Sequence, residues 1–180
     1  MSYCDFCTAR QLGDHHRVYH DKHYGFPIYN DNELFGRLIL EINQAGLSWD
    51  TILKKQSHFR KAYDNFCIKT IACYDEEKIV KLMNNKGVIR NRLKINAAVH
   101  NAKQILLLKQ EFGSFKQWLD IQHPKSKEEW TKLFKKTFKF VGEEIVNEFL
   151  MSTGYLRGAH VETCIVFAEI EQLNPKWLQK

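Results

Sequence analysis

The chain carries three prolines, and its longest uninterrupted apolar run is the five residues from Cys164 to Ala168. No stretch is therefore apolar enough to read as a membrane span, and none is Pro-rich enough to read as a linker or a collagenous repeat. The opening MSYCDFCTARQLGDHH lacks an apolar core behind a basic start, so no secretory signal is legible and a cytoplasmic protein is expected. β-type alternation is scarce. Disulfides are not expected either: Cys4, Cys7, Cys67, Cys73 and Cys164 are an odd count in a chain long enough to do without staples, which leaves reduced thiols or metal ligands.

What is present supports a folded core. Apolar residues make up 44% of 180 positions, enough for one domain, expected to span residues 1–180. Lys and Arg outnumber Asp and Glu by 27 to 21, for a net charge of +6, a mild bias that fits a polyanionic partner without requiring one. The cations cluster: Lys86, Arg90, Arg92 and Lys94 fall close together, as do Lys132, Lys135, Lys136 and Lys139. Either cluster alone is equally readable as a solvated face.

Apolar residues recur at helical spacing, so the fold class is read as all-α, with seven or eight helices. Asn30 or Asp31 caps a helix bearing Leu34, Phe35, Leu38, Ile39 and Ile42; AGLS breaks it, and a second runs from about Asp50. Asp75 opens a short helix, the turn NNKGVIRN follows, and a longer helix carries Ile95 to Leu106, a helix-hairpin-helix over about 75–110. Ser126 and Glu129 have capping-box spacing, and Gly154 ends a later helix.

Three constellations bear chemistry. At the 85–91 turn, Gly87 frees the backbone to present N–H groups to a phosphate, with Arg90, Arg92 and Lys94 beside it; an ordinary helix connection is the alternative. Glu41 lies three residues after Leu38, at the edge of an apolar stripe, where a carboxylate is partly desolvated and either pairs with a structural arginine or faces a cavity. Trp49, Tyr19, Tyr24 and Phe26 lie in segments that can place rings beside it, and an aromatic slot with one carboxylate suits a purine or a cation. By spacing alone those rings read first as core. His160 and Cys164, four apart, can share an ion, with Cys4 and His20 completing a closed Cys₂His₂ set. The Cys4/Cys7 pair and the neighbours His15, His16 and His23 leave the ligand choice open.

Taken together, Cys4, YHDKHYGFP from Tyr19, LEINQAGLSWDTILKK from Leu40, GVIRNRLKI from Gly87, FKFVG from Phe138, and His160 with Cys164 resemble the bacterial 3-methyladenine DNA glycosylase I family over most of the chain. The resemblance implies an all-α helix-hairpin-helix glycosylase that flips out 3-methyladenine and hydrolyses its glycosidic bond in alkylated double-stranded DNA, releasing the free base without a lyase step. It implies a structural zinc on Cys4, His20, His160 and Cys164, joining segments of about 1–25 and 155–170. It assigns base recognition to Glu41, the catalytic carboxylate, with Tyr19 and Trp49; Phe6 and Tyr24 stand where the family usually has tryptophans. His16 replaces a frequent tyrosine and Glu148 a common serine. A monomer with no membrane partner is expected. Two competing readings are a DNA-binding module that has lost catalysis and a zinc-stapled scaffold for a protein partner.

Overall fold

A short polar residue opens most of the helices. Asn30 accepts from the Asn32 and Glu33 amides, Ser48 from Thr51, Asp75 from Lys78, Asn91 from Lys94 and Ser114 from Gln117, while Ser126 and Glu129 close a reciprocal capping box. Each cap satisfies amides that the first helical turn leaves without partners. The computed structural model describes residues 2–179, and its described residues form no strand. Its helices are α1 (Tyr3–Thr8), α2 (His15–Lys22), α3 (Asp31–Gln44), α4 (Trp49–Ala62), α5 (Ile68–Ala72), α6 (Glu76–Asn84), α7 (Arg92–Phe112), α8 (Phe115–Gln122), α9 (Lys127–Thr137), α10 (Glu143–Ser152) and α11 (Ile165–Gln172). The all-α expectation holds. Eleven helices replace the expected seven or eight because α1, α2, α5, α8 and α11 are too short to show an apolar period. None of them is long and apolar enough to cross a membrane.

The centre of the fold is α3, buried without a break from Leu34 to Asn43. A helix apolar on one face only cannot do this; α3 is covered by α4, α7, α8 and α10 together. Gly36 makes one of these approaches possible, since a Cβ there would lie 2.4 Å from the Phe66 ring. The main core gathers Phe35, Phe59, Phe66, Phe115, Trp130, Phe134 and Phe149 around α3. A smaller cluster of Cys4, Cys164, Val166, Phe167 and Ile170 joins α1 to α11, and Trp177 tilts against Phe167 at 5.7 Å.

Two local features place the functional side chains. Gly46, at φ +80°, turns the chain out of α3 and into α4, so that Trp49 becomes the first residue of α4. The Gly25 amide donates to the Ser152 carbonyl at 3.0 Å, binding the segment after α2 to the end of α10.

Candidate functional site

Glu41 is 4% exposed, deep on α3. Among the described residues nothing donates a hydrogen bond to its carboxylate and no cation lies within ion-pair distance of it. Burial pushes its pKa up to about 8; Arg37 pulls the other way and Glu148 adds to the rise. Arg37 stands one turn earlier on α3, the position from which a guanidinium ordinarily pairs with a carboxylate. Its Nη1 instead donates to the Tyr19 hydroxyl at 3.0 Å and to the Ser152 carbonyl at 3.3 Å, and its Nη2 to the His23 carbonyl at 3.4 Å.

Rings fill the space next to this helix. Tyr19 meets Trp49 at 5.1 Å between centroids and Tyr24 at 5.4 Å, and Tyr24 meets Tyr3 edge-on at 5.6 Å. Tyr19, Tyr24 and Leu53 form one buried cluster with Tyr3, Trp49 and Ala159 packed against it. The indole N–H of Trp49 is buried and makes no hydrogen bond, an unsatisfied donor that costs free energy unless a partner arrives. Phe6 lies further out, 36% exposed, with the Arg10 guanidinium 4.1 Å from its ring centroid and His16 edge-on at 5.2 Å. Glu148 on α10 accepts the Tyr24 hydroxyl at 3.2 Å. A buried carboxylate among rings attracts a flat cationic group, because the cation restores part of the solvation that burial removed.

Cys4, His20, His160 and Cys164 converge from α1, α2 and the loop before α11, all four buried, with their ligand atoms within 4.8 Å of one another. Sulfur-to-nitrogen separations are 3.6 Å for Cys4–His160 and 3.7 Å for both Cys164–His20 and Cys164–His160. Tetrahedral bonding of about 2.3 Å to sulfur and 2.0–2.1 Å to nitrogen places such donors about 3.6 Å apart. The outer ring nitrogens are held as well: His20 Nδ1 donates to Asp21 at 2.7 Å and His160 Nε2 to the Tyr24 carbonyl at 2.7 Å, the support that fixes a ligating imidazole. The cluster can hold a metal ion. Cys7 is turned away, its thiol donating to the His16 carbonyl, which closes the Cys4/Cys7 alternative; His15 and His16 instead group with Asp50.

A family model described as methyladenine glycosylase matches residues 9–130. The chain belongs to that family. The DNA-3-methyladenine glycosylase of Haemophilus influenzae is 34% identical over 165 residues, covering 81% of this chain and 89% of that protein. DNA-3-methyladenine glycosylase 1 of Escherichia coli is 32% identical over 169 residues, covering 83% and 90%. Among solved structures, a variant of 3-methyladenine DNA glycosylase I in complex with 3-methyladenine superposes with a TM-score of 0.81 at 29% identity, covering 92% of this chain and 97% of that one. The Staphylococcus aureus enzyme gives 0.80 at 28% identity over the same shares.

In this methyladenine glycosylase the residues expected to face a phosphate divide. Gly87 does not turn its N–H outward: the amide donates to Asn85 Oδ1 at 2.8 Å, and the residue is absent from the positive-φ glycines. Its small size serves a close approach instead, since a Cβ would stand 3.0 Å from His58. Lys94 is corrected too. It is 4% exposed, and its ammonium donates to the carbonyls of Asn43 at 2.9 Å and Ala45 at 2.7 Å, closing the C-terminal end of α3. Arg92 is exposed but paired with Glu76 at 2.6 Å, and Arg90 is exposed. Lys132, Lys135, Lys136 and Lys139 are all exposed, and Asn101 clamps the backbone of Lys139 with bonds of 3.1 and 2.7 Å.

Sequence reasoning did not single out Arg37 or Tyr3. A charged residue four before Glu41 within the apolar LFGRLILEI was a legible signal for Arg37. Tyr3 had none beyond standing next to Cys4.

Proposed function

We propose that this chain is a DNA-3-methyladenine glycosylase of base-excision repair, which flips 3-methyladenine out of alkylated double-stranded DNA and hydrolyses its N-glycosidic bond without a lyase step. The observation that carries this reading is Glu41, a buried carboxylate with no hydrogen-bond donor or ion-pair partner among the described residues, on the helix whose Arg37 bonds Tyr19 of the aromatic cluster. Methylation at N3 makes adenine cationic and weakens its bond to the sugar. The leaving group then needs no proton, and the protein's work is extrusion and recognition.

Glu41 ionises as the positive base arrives, because a cation beside it offsets the desolvation that holds its pKa near 8 in the free protein. Tyr19 and Trp49 stack on or enclose the base, and the free indole N–H of Trp49 has a partner to gain. Tyr24, packed on Tyr19, and the outer, 36% exposed Phe6 complete the aromatic side of the site. Arg37 holds Tyr19 in place through its hydroxyl. Water attacks the sugar as its bond to the base breaks, and the negative site favours the developing oxocarbenium charge.

Zinc is the metal that fits Cys4, His20, His160 and Cys164. Two thiolates and two imidazoles at tetrahedral spacing, all buried, form a closed structural site that ties α1 and α2 to the loop before α11. Phosphate contacts belong to the exposed cations, Arg90, Arg92 and Lys86 on the 85–91 turn and Lys132, Lys135, Lys136 and Lys139 around the end of α9. Lys55 braces that turn by donating to the Lys86 carbonyl at 2.6 Å.

The test is release of free 3-methyladenine from methylated duplex DNA by the purified, metal-loaded protein. Release by the native chain with its loss in Glu41→Gln is expected. No release, or equal release by the variant, would overturn the reading.

A further inference from the structure

We propose that Glu148 forms a second acidic wall of the base site and sets its preference for positively charged over neutral bases. The inference rests on the base-site reading above and adds to it a residue with a distinct task. Three observations carry it.

The first is placement. Glu148 is half-buried on α10, and its carboxylate accepts the Tyr24 hydroxyl at 3.2 Å. Tyr24 in turn packs on Tyr19, whose hydroxyl takes the Arg37 N–H. Glu148 therefore ends a chain of contacts that runs through Tyr24 and Tyr19 to Arg37.

The second is charge balance. Glu41 and Arg37 are both buried, one helical turn apart, so the unpaired arginine offsets part of the carboxylate's field at a bound ring. A site with those two alone favours a cation less than one with a second carboxylate beside it. Glu148 tips the balance negative. The charged groups facing it from neighbouring positions are Glu144 and Lys127, and Lys127 is engaged by Glu143 at 3.2 Å and Glu144 at 3.5 Å. Among the described residues no cation forms an ion pair with Glu148, and Lys127 acts on it only from beyond that range.

The third is chemical economy. A glutamine amide of the same length would serve the Tyr24 hydroxyl equally well; only a carboxylate adds charge.

The experiment separates the charge from the hydrogen bond. Glu148→Gln keeps an oxygen for Tyr24 and removes the charge. Glu148→Ser is the second variant, in case the first folds poorly. Binding of 3,9-dimethyladeninium, a permanent cation in which a methyl stands for the sugar, is compared with that of neutral 9-methyladenine. The native chain is expected to prefer the cation. Both variants are expected to lose about tenfold of that preference, the scale of one charge acting through several ångströms of protein, and in Glu148→Gln, which keeps the acceptor for Tyr24, the loss is expected on the side of the cation. A preference that survives in both variants overturns the inference. If the native chain binds neither ligand, the base-site reading itself falls, and this inference with it.

Discussion

Arg37 and Glu41 lie one turn apart on α3, yet the guanidinium bonds the Tyr19 hydroxyl and leaves the carboxylate unpaired. Had the two closed into an ion pair, Glu41 would be a structural residue with its charge already satisfied. Because the arginine is drawn aside by Tyr19, Ser152 and His23, the carboxylate keeps its capacity for a ligand.

Replacing Glu41 by Gln preserves volume and removes the charge. Release of 3-methyladenine is expected to fall about 10²- to 10³-fold, the scale for loss of one preorganised electrostatic partner. Single-turnover assays on methylated duplex DNA, with Tm measured alongside, separate this loss from unfolding.

The same group gives a pH dependence. Its folded value of about 8 lies above the ordinary 4.5, so between those limits the folded protein holds a proton that the unfolded chain has released. The Glu41 contribution to stability is therefore greatest below pH 4.5 and is lost as pH rises through 8. Denaturant titrations of the native chain and Glu41→Gln should show the difference between them growing over that window. In parallel, kcat/KM should rise with pH up to about 8 as the carboxylate ionises in the free protein, while kcat, governed by the complex with the cation, should level off at lower pH.

The cluster of Cys4, His20, His160 and Cys164 is expected to bring one tightly held zinc per chain. Cys164→Ser should lower the metal content and depress Tm by roughly 10 °C, the scale of a few kcal/mol in a chain of this size. Elemental analysis of protein purified without added metal, followed by melting with and without a chelator, checks both.

Lys94 and Arg90 are four residues apart and should behave differently. Lys94→Ala orphans two carbonyls at the end of α3 and is expected to cost about 1–3 kcal/mol of stability. Arg90→Ala should leave stability unchanged, weaken binding to all duplexes alike and reduce the salt slope by about one. Urea denaturation and DNA titration at several salt concentrations tell the two outcomes apart.

Gly36→Ala places a methyl against the Phe66 ring and is expected to destabilise by about 1–3 kcal/mol through overpacking. Calorimetry measures it directly, and the shift in α3 it forces should also lower the affinity for the base.

Several of these features were readable before any coordinates. The helices over 31–44, 49–62, 92–112 and 127–137 show in their caps and apolar spacing, since both depend on residues a few positions apart. Ser126 and Glu129 form the capping box their spacing implies. The short helices α1, α2 and α11 were not readable, because they are held by the buried cluster of Cys4, His20, His160 and Cys164 and by contacts between the two ends of the chain and have no apolar period of their own. Gly87 and Lys94 misled for a related reason. A glycine and a lysine beside a turn look the same in sequence whether they face solvent or fold back, and here Asn85 and the end of α3 claimed them.

The sequence by itself determined the residue types and the local geometry: an all-α chain, a carboxylate at the edge of an apolar stripe, and two cysteines and two histidines able to serve one ion. Only the tertiary structure decided which donors Arg37 would satisfy, whether Glu41 would stay unpaired, and which of the basic residues remained in solvent. Those outcomes depend on Tyr19, His23 and Ser152 arriving from other helices, and the free energy of a buried charge is set by every neighbour within a few ångströms, whatever its distance along the chain.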